Sequence, residues 1–157
     1  MALSSTYRSA LAGLKILVVD DDADVLYLVR RILAEARADV TAASSAESAL
    51  RNIAIARPDI VVSDLEMPGV DGWELMRQIR RLPIENGGAT PAIALSAHVR
   101  ESDKVKALAA GFTAHVGKPM RALKLIEAIR DAIGSVRPAR PLDTAAPACR
   151  CARRRRR

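Results

Sequence analysis

The chain has 157 residues, half of them apolar, which is enough for one domain with a sizeable core and not comfortably two. Its formal net charge is +7, yet eight of its 25 basic residues and only one of its 18 acids fall in residues 135–157. The first 134 residues are therefore neutral, and the basic excess excludes nothing about the partners of a folded body. No apolar run approaches the roughly 20 residues that span a bilayer, so no transmembrane segment and a cytoplasmic location are expected.

Strands and helices alternate between about Lys15 and Gly134. Ile16-Leu17-Val18-Val19 is a short apolar run that ends in acids and predicts a buried strand. Val25, Leu28, Val29, Ile32, Leu33 and Ala36 follow at helical spacing. Val40 to Ala43 predicts a second strand. Ser44 with Glu47 predicts a capping box at the head of a helix that Arg57-Pro58 ends. Ile60-Val61-Val62 predicts the third strand, leading to Asp64. After the Met67-Pro68-Gly69-Val70 loop, Asp71 and Glu74 repeat the N-cap relation for a helix through Ile79. A turn-rich stretch, 83–90, leads to a fourth strand at Ala92 to Leu95, followed by Ser96. A helix from about Ser102 stops at Gly111, Phe112 to Val116 predicts the fifth strand, and a last helix runs from Arg121 to Ile133, stopped by Gly134.

Five strand–helix pairs in strict alternation predict an α/β fold: a doubly wound parallel sheet in the order 2-1-3-4-5, with helices on both faces. That topology gathers the strand carboxyl ends on one edge. Strand 1 brings Asp20, Asp21 and Asp22; strand 3, Asp64; strand 4, Ser96; strand 5, Lys118-Pro119. Crowded carboxylates repel, and a hard divalent cation such as Mg²⁺ relieves the repulsion through a few carboxylate oxygens and retained water. A carboxylate beside that cation can attack a phosphoryl group in line, with Lys118 and Ser96 placed to meet the phosphoryl oxygens. Acids at strand ends also serve as helix caps, which is the ordinary reading of Asp22 and Asp24. For Asp20, Asp21 and Asp64, which converge on one lysine, a shared chemical site is the better reading.

The run Ile16 to Asp22, the run Asp64-Leu65-Glu66-Met67-Pro68-Gly69-Val70-Asp71-Gly72, Ser96-Ala97 and Lys118-Pro119 together resemble the receiver domain of two-component response regulators. The likeness covers about residues 14–134, and in style it is nearest to the C-terminal receivers of hybrid sensor histidine kinases. It implies a flavodoxin-like fold and phosphorelay signalling: a Mg²⁺-dependent phosphoacceptor switch that catalyses only its own phosphorylation and dephosphorylation. By resemblance Asp64 is the phosphoacceptor. Asp21 is similar to a direct Mg²⁺ ligand, Asp20 to its water-mediated partner, and the Glu66 backbone carbonyl to the third protein ligand. Ser96 takes the switch-hydroxyl position, Lys118 the site lysine, and a cis bond is implied before Pro119. The implied phosphodonor is a histidine kinase or a histidine phosphotransfer protein. The sequence departs from the common pattern at Ser96, where Thr is frequent, at Met120, where Phe is, and at His115, where Tyr or Phe usually acts as the aromatic switch. His98, like His115 on its own residue chemistry, reads as structural.

Residues 1–13 read as an N-terminal extension and 135–157 as a disordered tail rich in Pro, Ala and Arg. Cys149 and Cys151 lie in that tail, too close together for a good disulfide and without zinc-like company. Arg153–Arg157 offer weak, sequence-blind contact with nucleic acid or an anionic surface. Two other readings compete. One is a haloacid-dehalogenase-like phosphatase using Asp64, with Glu66 in a loose version of its general-acid position. The other is a binding protein acting through the arginine tail. With no output domain after residue 134, output is expected to pass through a partner, or the chain is expected to serve as a phosphoryl sink or relay intermediate.

Overall fold

The computed structural model describes residues 7–97 and 100–136. Its strands are β1 (Lys15–Val19), β2 (Asp39–Ala43), β3 (Ile60–Asp64), β4 (Ala92–Ser96) and β5 (Ala114–Gly117). Its helices are α1 (Ala23–Glu35), α2 (Ala46–Ala56), α3 (Gly72–Arg80), α4 (Glu101–Ala110) and α5 (Ala122–Val136), with a short 3₁₀ turn at Ile84–Asn86. All strand pairs are parallel, in the order β2-β1-β3-β4-β5 that the sequence predicts.

Side chains alternate across the sheet and build two aliphatic layers. Leu17, Val19, Val61, Ala92 and Ala94 face α2, α3 and α4 through Ala49, Ile53, Leu75, Met76, Ile79 and Ala107. Ile16, Val18, Val62, Ile93 and Leu95 face α1 and α5 through Val29, Leu33, Leu125, Ile126 and Ile129. Both faces are covered, which is why β3 and β4 are buried throughout and apolar up to the ends that Ser63, Asp64 and Ser96 form.

Several local readings need correction. The α2 box is formed one residue later than predicted. Ser45 accepts from the Ser48 backbone and Ser48 Oγ receives the Ser45 N–H, because burial of Ala46, Ala49 and Ile53 sets the helix phase. Glu47 pairs instead with Arg51. Leu28 faces out, 49% exposed; Val29 and Leu33 carry the buried stripe of α1. Phe112 precedes β5, packing edge-on to Trp73 with ring centroids 6.3 Å apart. The chain enters β5 through Thr113, whose N–H donates to Ala92 O at 2.7 Å and whose Oγ1 accepts from Ala92 N–H. Gly134 does not stop α5. A helical glycine costs about 1 kcal/mol and is tolerated, and here the helix continues to Val136.

The described part of the N-terminal extension, residues 7–13, belongs to the packed body. Leu11 is fully buried in the α1–α5 layer. Its N–H donates to Ala36 O and that of Gly13 to Arg37 O, while Tyr7 Oη donates to Glu127 on α5. The cysteines and Arg153–Arg157 lie outside the described residues.

On the edge where the strands begin, Arg80 ties three segments together. Its half-buried guanidinium donates to the carbonyls of Gly88 and Thr90, both at 2.8 Å, and to that of Gly111 at 2.7 and 3.1 Å. These carbonyls close the α3–β4 connection and the end of α4, where Gly111 holds a left-handed φ of 103°.

Candidate functional site

The opposite edge of the sheet is where the strands deliver their polar ends. In register, Val19 of β1 sits beside Ser63 of β3, Asp64 beside Leu95, and Ser96 beside Gly117. Backbone bonds fix these ends: Leu65 N–H donates to Leu95 O at 3.0 Å, and Lys118 N–H to Ser96 O at 2.7 Å. Carboxylate oxygens of Asp20, Asp21 and Asp64 come within 4.8 Å of one another. Asp20 and Asp64 are buried and Asp21 is exposed, so the acid cluster opens to solvent on one side. Lys118, joined to Pro119 by a cis peptide bond, places Nζ 2.9 Å from Asp20 Oδ2 and 3.1 Å from Asp64 Oδ1.

Burial pushes the Asp64 carboxyl above the usual aspartate value. Lys118 opposes that shift, Asp20 adds to it, and the Glu66 backbone N–H, which donates to the carboxylate, opposes it. Burial also works against the Lys118 ammonium, but its bonds to Asp20 and Asp64 outweigh that and hold its pKa above the ordinary lysine value. The lysine is therefore fixed as a cation between two of the three carboxylates, Asp20 and Asp64. Hard oxygen donors, one open side and a net negative charge fit a small divalent cation that retains water. Asp20, Asp21 and Asp64 are the residues able to hold it.

Ser96 is buried at the end of β4, and Glu66 is exposed in the loop after β3. Both line a cavity of about 350 Å³ with Leu65, Trp73, Arg100, Asp103 and Lys106. Asp22 makes the cap expected of it, accepting from Asp24 and Val25 N–H at 2.8 and 3.3 Å, while its own N–H donates to Asp20 Oδ1. His115 stands on β5, three residues before Lys118. Both ring nitrogens are buried without a hydrogen-bond partner among the described residues, and burial lowers its pKa; Asp103 opposes the shift and Lys104 adds to it. His98 lies outside the described residues.

Two residues that shape the site were given no role from sequence. Ser63 is buried and its Oγ donates to the Asp64 carbonyl at 2.9 Å. Gly72 opens α3 directly against the end of β3: a Cβ there would overlap the Asp64 carbonyl oxygen and lie 2.8 Å from Leu65 Cα. Its signal, a glycine at the first helical position after an Asp cap, is visible in Val70-Asp71-Gly72, but the clash that makes it necessary is a tertiary fact.

A family model described as the response regulator receiver domain matches residues 16–130. Among curated proteins, the chain is 43% identical over 120 residues to an uncharacterized 14.6 kDa protein of Leptolyngbya boryana, covering 76% of this chain and 90% of that one. It is 34% identical over 133 residues to hybrid signal transduction histidine kinase D of Dictyostelium discoideum, covering 80% of this chain but only 8% of that protein. Among solved structures, it matches a response regulator of Chloroflexus aurantiacus (TM-score 0.72, 29% identity, 76% of this chain and 97% of that one). It also matches Vibrio cholerae chemotaxis protein CheY4 (TM-score 0.71, 27% identity, 78% and 98%). No described helix is long and apolar enough to cross a membrane.

Proposed function

The chain belongs to the response regulator receiver domain family of two-component signalling, and on that premise we propose that Asp64 accepts a phosphoryl group from a histidine kinase or histidine phosphotransfer protein. The observation that carries the proposal is one lysine between two buried carboxylates, with a third carboxylate at the solvent side. An Asp64 carboxylate oxygen attacks phosphorus, the bond from phosphorus to the donor nitrogen breaks, and an acyl phosphate forms. Asp20, Asp21, Asp64 and the Glu66 carbonyl would hold Mg²⁺, which when bound offsets carboxylate repulsion and neutralises charge on the phosphoryl oxygens. Lys118 orients Asp64 beforehand and supplies an ammonium to a phosphoryl oxygen, and Ser96 offers its hydroxyl to another.

The response is carried by the face of α4, β5 and α5. Among the residues of α4 only Ala107 is buried, while Val105 and Leu108 are 61% and 58% exposed. A helix held by so little apolar contact is a low-cost element to shift. Ser96 and His115 border it from β4 and β5. A histidine here lacks the phenol of Tyr, so its coupling to the phosphoryl group does not run through a hydroxyl.

Incubation with Mg²⁺ and a small phosphodonor tests the reading. Acid-stable, base-labile label is expected on the wild type and not on Asp64→Asn. Continuous phosphate release from many phosphomonoesters would instead establish the phosphatase reading. Absence of label, with low-salt nucleic-acid binding lost on removing residues 137–157, would establish the arginine tail as the working part.

A further inference from the structure

A second, larger cavity of about 590 Å³ lies between α3 and α4, away from the acids. Its α3 wall is formed by Trp73, Arg77, Arg80 and Arg81, with Asp71 at the cap, and its α4 wall by Lys106, Ala109 and Ala110. Positions 73, 77, 80 and 81 fall on one helical face. The alanines of α4 leave the room, and the volume lies within the range of small-molecule sites.

The charged groups are not equivalent. Arg80 is spent on the carbonyls of Gly88, Thr90 and Gly111. Arg77 pairs with Glu74 at 2.9 Å. The side chains of Arg81 and Lys106 make no hydrogen bond or short ion pair among the described residues, and Arg81 feels the Glu74 carboxylate only through its charge. Trp73 is half-buried, steadied by its edge contact with Phe112, and borders the cavity at the end where Asp71 caps the helix. Asp71 spends one carboxylate oxygen on the Glu74 N–H. One end of the groove therefore offers an indole and a carboxylate, Arg81 stands at the other end, and Lys106 lines the α4 wall, bordering both cavities with Trp73. Eight residues of helix, ~12 Å, separate Trp73 from Arg81.

A simple anion would use the cations and leave the indole idle, and it would be repelled by Asp71. A ligand with an aromatic ring at one end, hydroxyl or amino donors beside it, and phosphates at the other end uses both. We propose that the α3–α4 groove is a nucleotide site. The base packs on Trp73, a ribose hydroxyl or base amino group donates to Asp71, and the phosphates reach Arg81 and Lys106. Trp73 and Lys106 also line the cavity that reaches Glu66 and Ser96, so an occupied groove adjoins the acid site without sharing its acids.

Trp73 is the single tryptophan of the chain, and its emission reads the groove. ADP or GDP is titrated in EDTA, so that metal at the acids cannot contribute, and equilibrium dialysis of labelled nucleotide detects binding that is optically silent. Saturable binding is expected. Its affinity should fall about tenfold or more for adenosine, which lacks phosphate, and for ribose 5-phosphate, which lacks a base. A similar loss is expected for Arg81→Gln/Lys106→Gln, both exposed positions whose replacement leaves the core untouched. No saturable binding of either nucleotide, or equal affinity for adenosine, would overturn the proposal. So would binding unchanged in the double variant. Equal affinity for pyrophosphate or for a glutamate-rich peptide would also overturn it and assign the groove to an acidic partner. None of these readouts depends on phosphorylation of Asp64.

Discussion

Mg²⁺ binding at Asp20, Asp21 and Asp64 makes a thermodynamic demand on the fold. The three carboxylates converge only in the folded chain, since they come from the ends of two strands more than 40 positions apart in sequence. A cation that binds the folded form alone stabilises it by RT ln(1 + [Mg²⁺]/Kd), which rises by about 1.4 kcal/mol per tenfold increase in Mg²⁺ above Kd. Roughly 130 packed residues, at about 2.1 cal/mol/K each, give an unfolding entropy near 0.27 kcal/mol/K. The melting temperature should therefore climb about 5 °C per decade of free Mg²⁺ once Kd is passed. Differential scanning fluorimetry or calorimetry at constant ionic strength measures the slope. Asp21→Asn removes an exposed carboxylate and leaves packing intact, so its curve should begin to rise at higher Mg²⁺. A flat wild-type curve across the millimolar range would refute the metal reading. So would a rise that NaCl at equal ionic strength reproduces, because it would then be screening.

Three further outcomes follow from the geometry. Leu11→Ala should cost about 2–5 kcal/mol in urea melts, with a ceiling set by undocking of residues 7–13, and a change within error would detach that segment from the domain. Gly72→Ala should destabilise by about 1–3 kcal/mol and lower the phospholabel as well, because the added methyl meets the Asp64 carbonyl; full label and stability would show that the loop yields freely. In EDTA, the stability of wild type relative to Asp64→Asn should fall as pH rises. Burial holds the folded pKa above the ordinary aspartate value, so no penalty exists below the unfolded pKa, and it is fully present above the raised folded one. A difference that moves the opposite way across this window in paired denaturant titrations would reverse the sign of the burial effect.

The order of strands and the gathering of acids are legible in the sequence because both rest on pattern. Short apolar runs lead into polar residues, the acids after Val19 and Val62 and Ser96 after Leu95, and right-handed parallel crossovers permit few sheets. What escapes is whatever depends on a neighbour. Leu28 has helical spacing as good as that of Val29, and only the position of the sheet decides which is covered. Phe112 has strand character, but its ring has an indole to meet. Ser44 and Ser45 both satisfy a cap pattern, and burial of Ala46 chooses between them. Leu11 sits beside alanine and glycine with no periodicity to mark it, so its place in the core is invisible until α1 and α5 are packed. At the site, Asp20, Asp21, Asp64, Ser96 and Lys118 carry their chemistry in their identities. Gly72 and Ser63 act by contact with a backbone oxygen, which no spacing rule encodes.

The Arg80 clamp sits on the edge of the sheet where Leu11 is buried and where Lys15 and Asp59 exchange backbone and side-chain bonds at 2.8 and 2.9 Å. Amide protons held by these bonds should become reachable by solvent only when several segments open together. On the other edge, the loops that follow the strands are tied in part through Lys118, Asp20 and Asp64, and a charge added or removed among those three should change the protection of the loops. Native-state hydrogen exchange should thus be graded across the molecule, slow where the strands begin and fast where they end. The protein is bound along one margin and opens along the other.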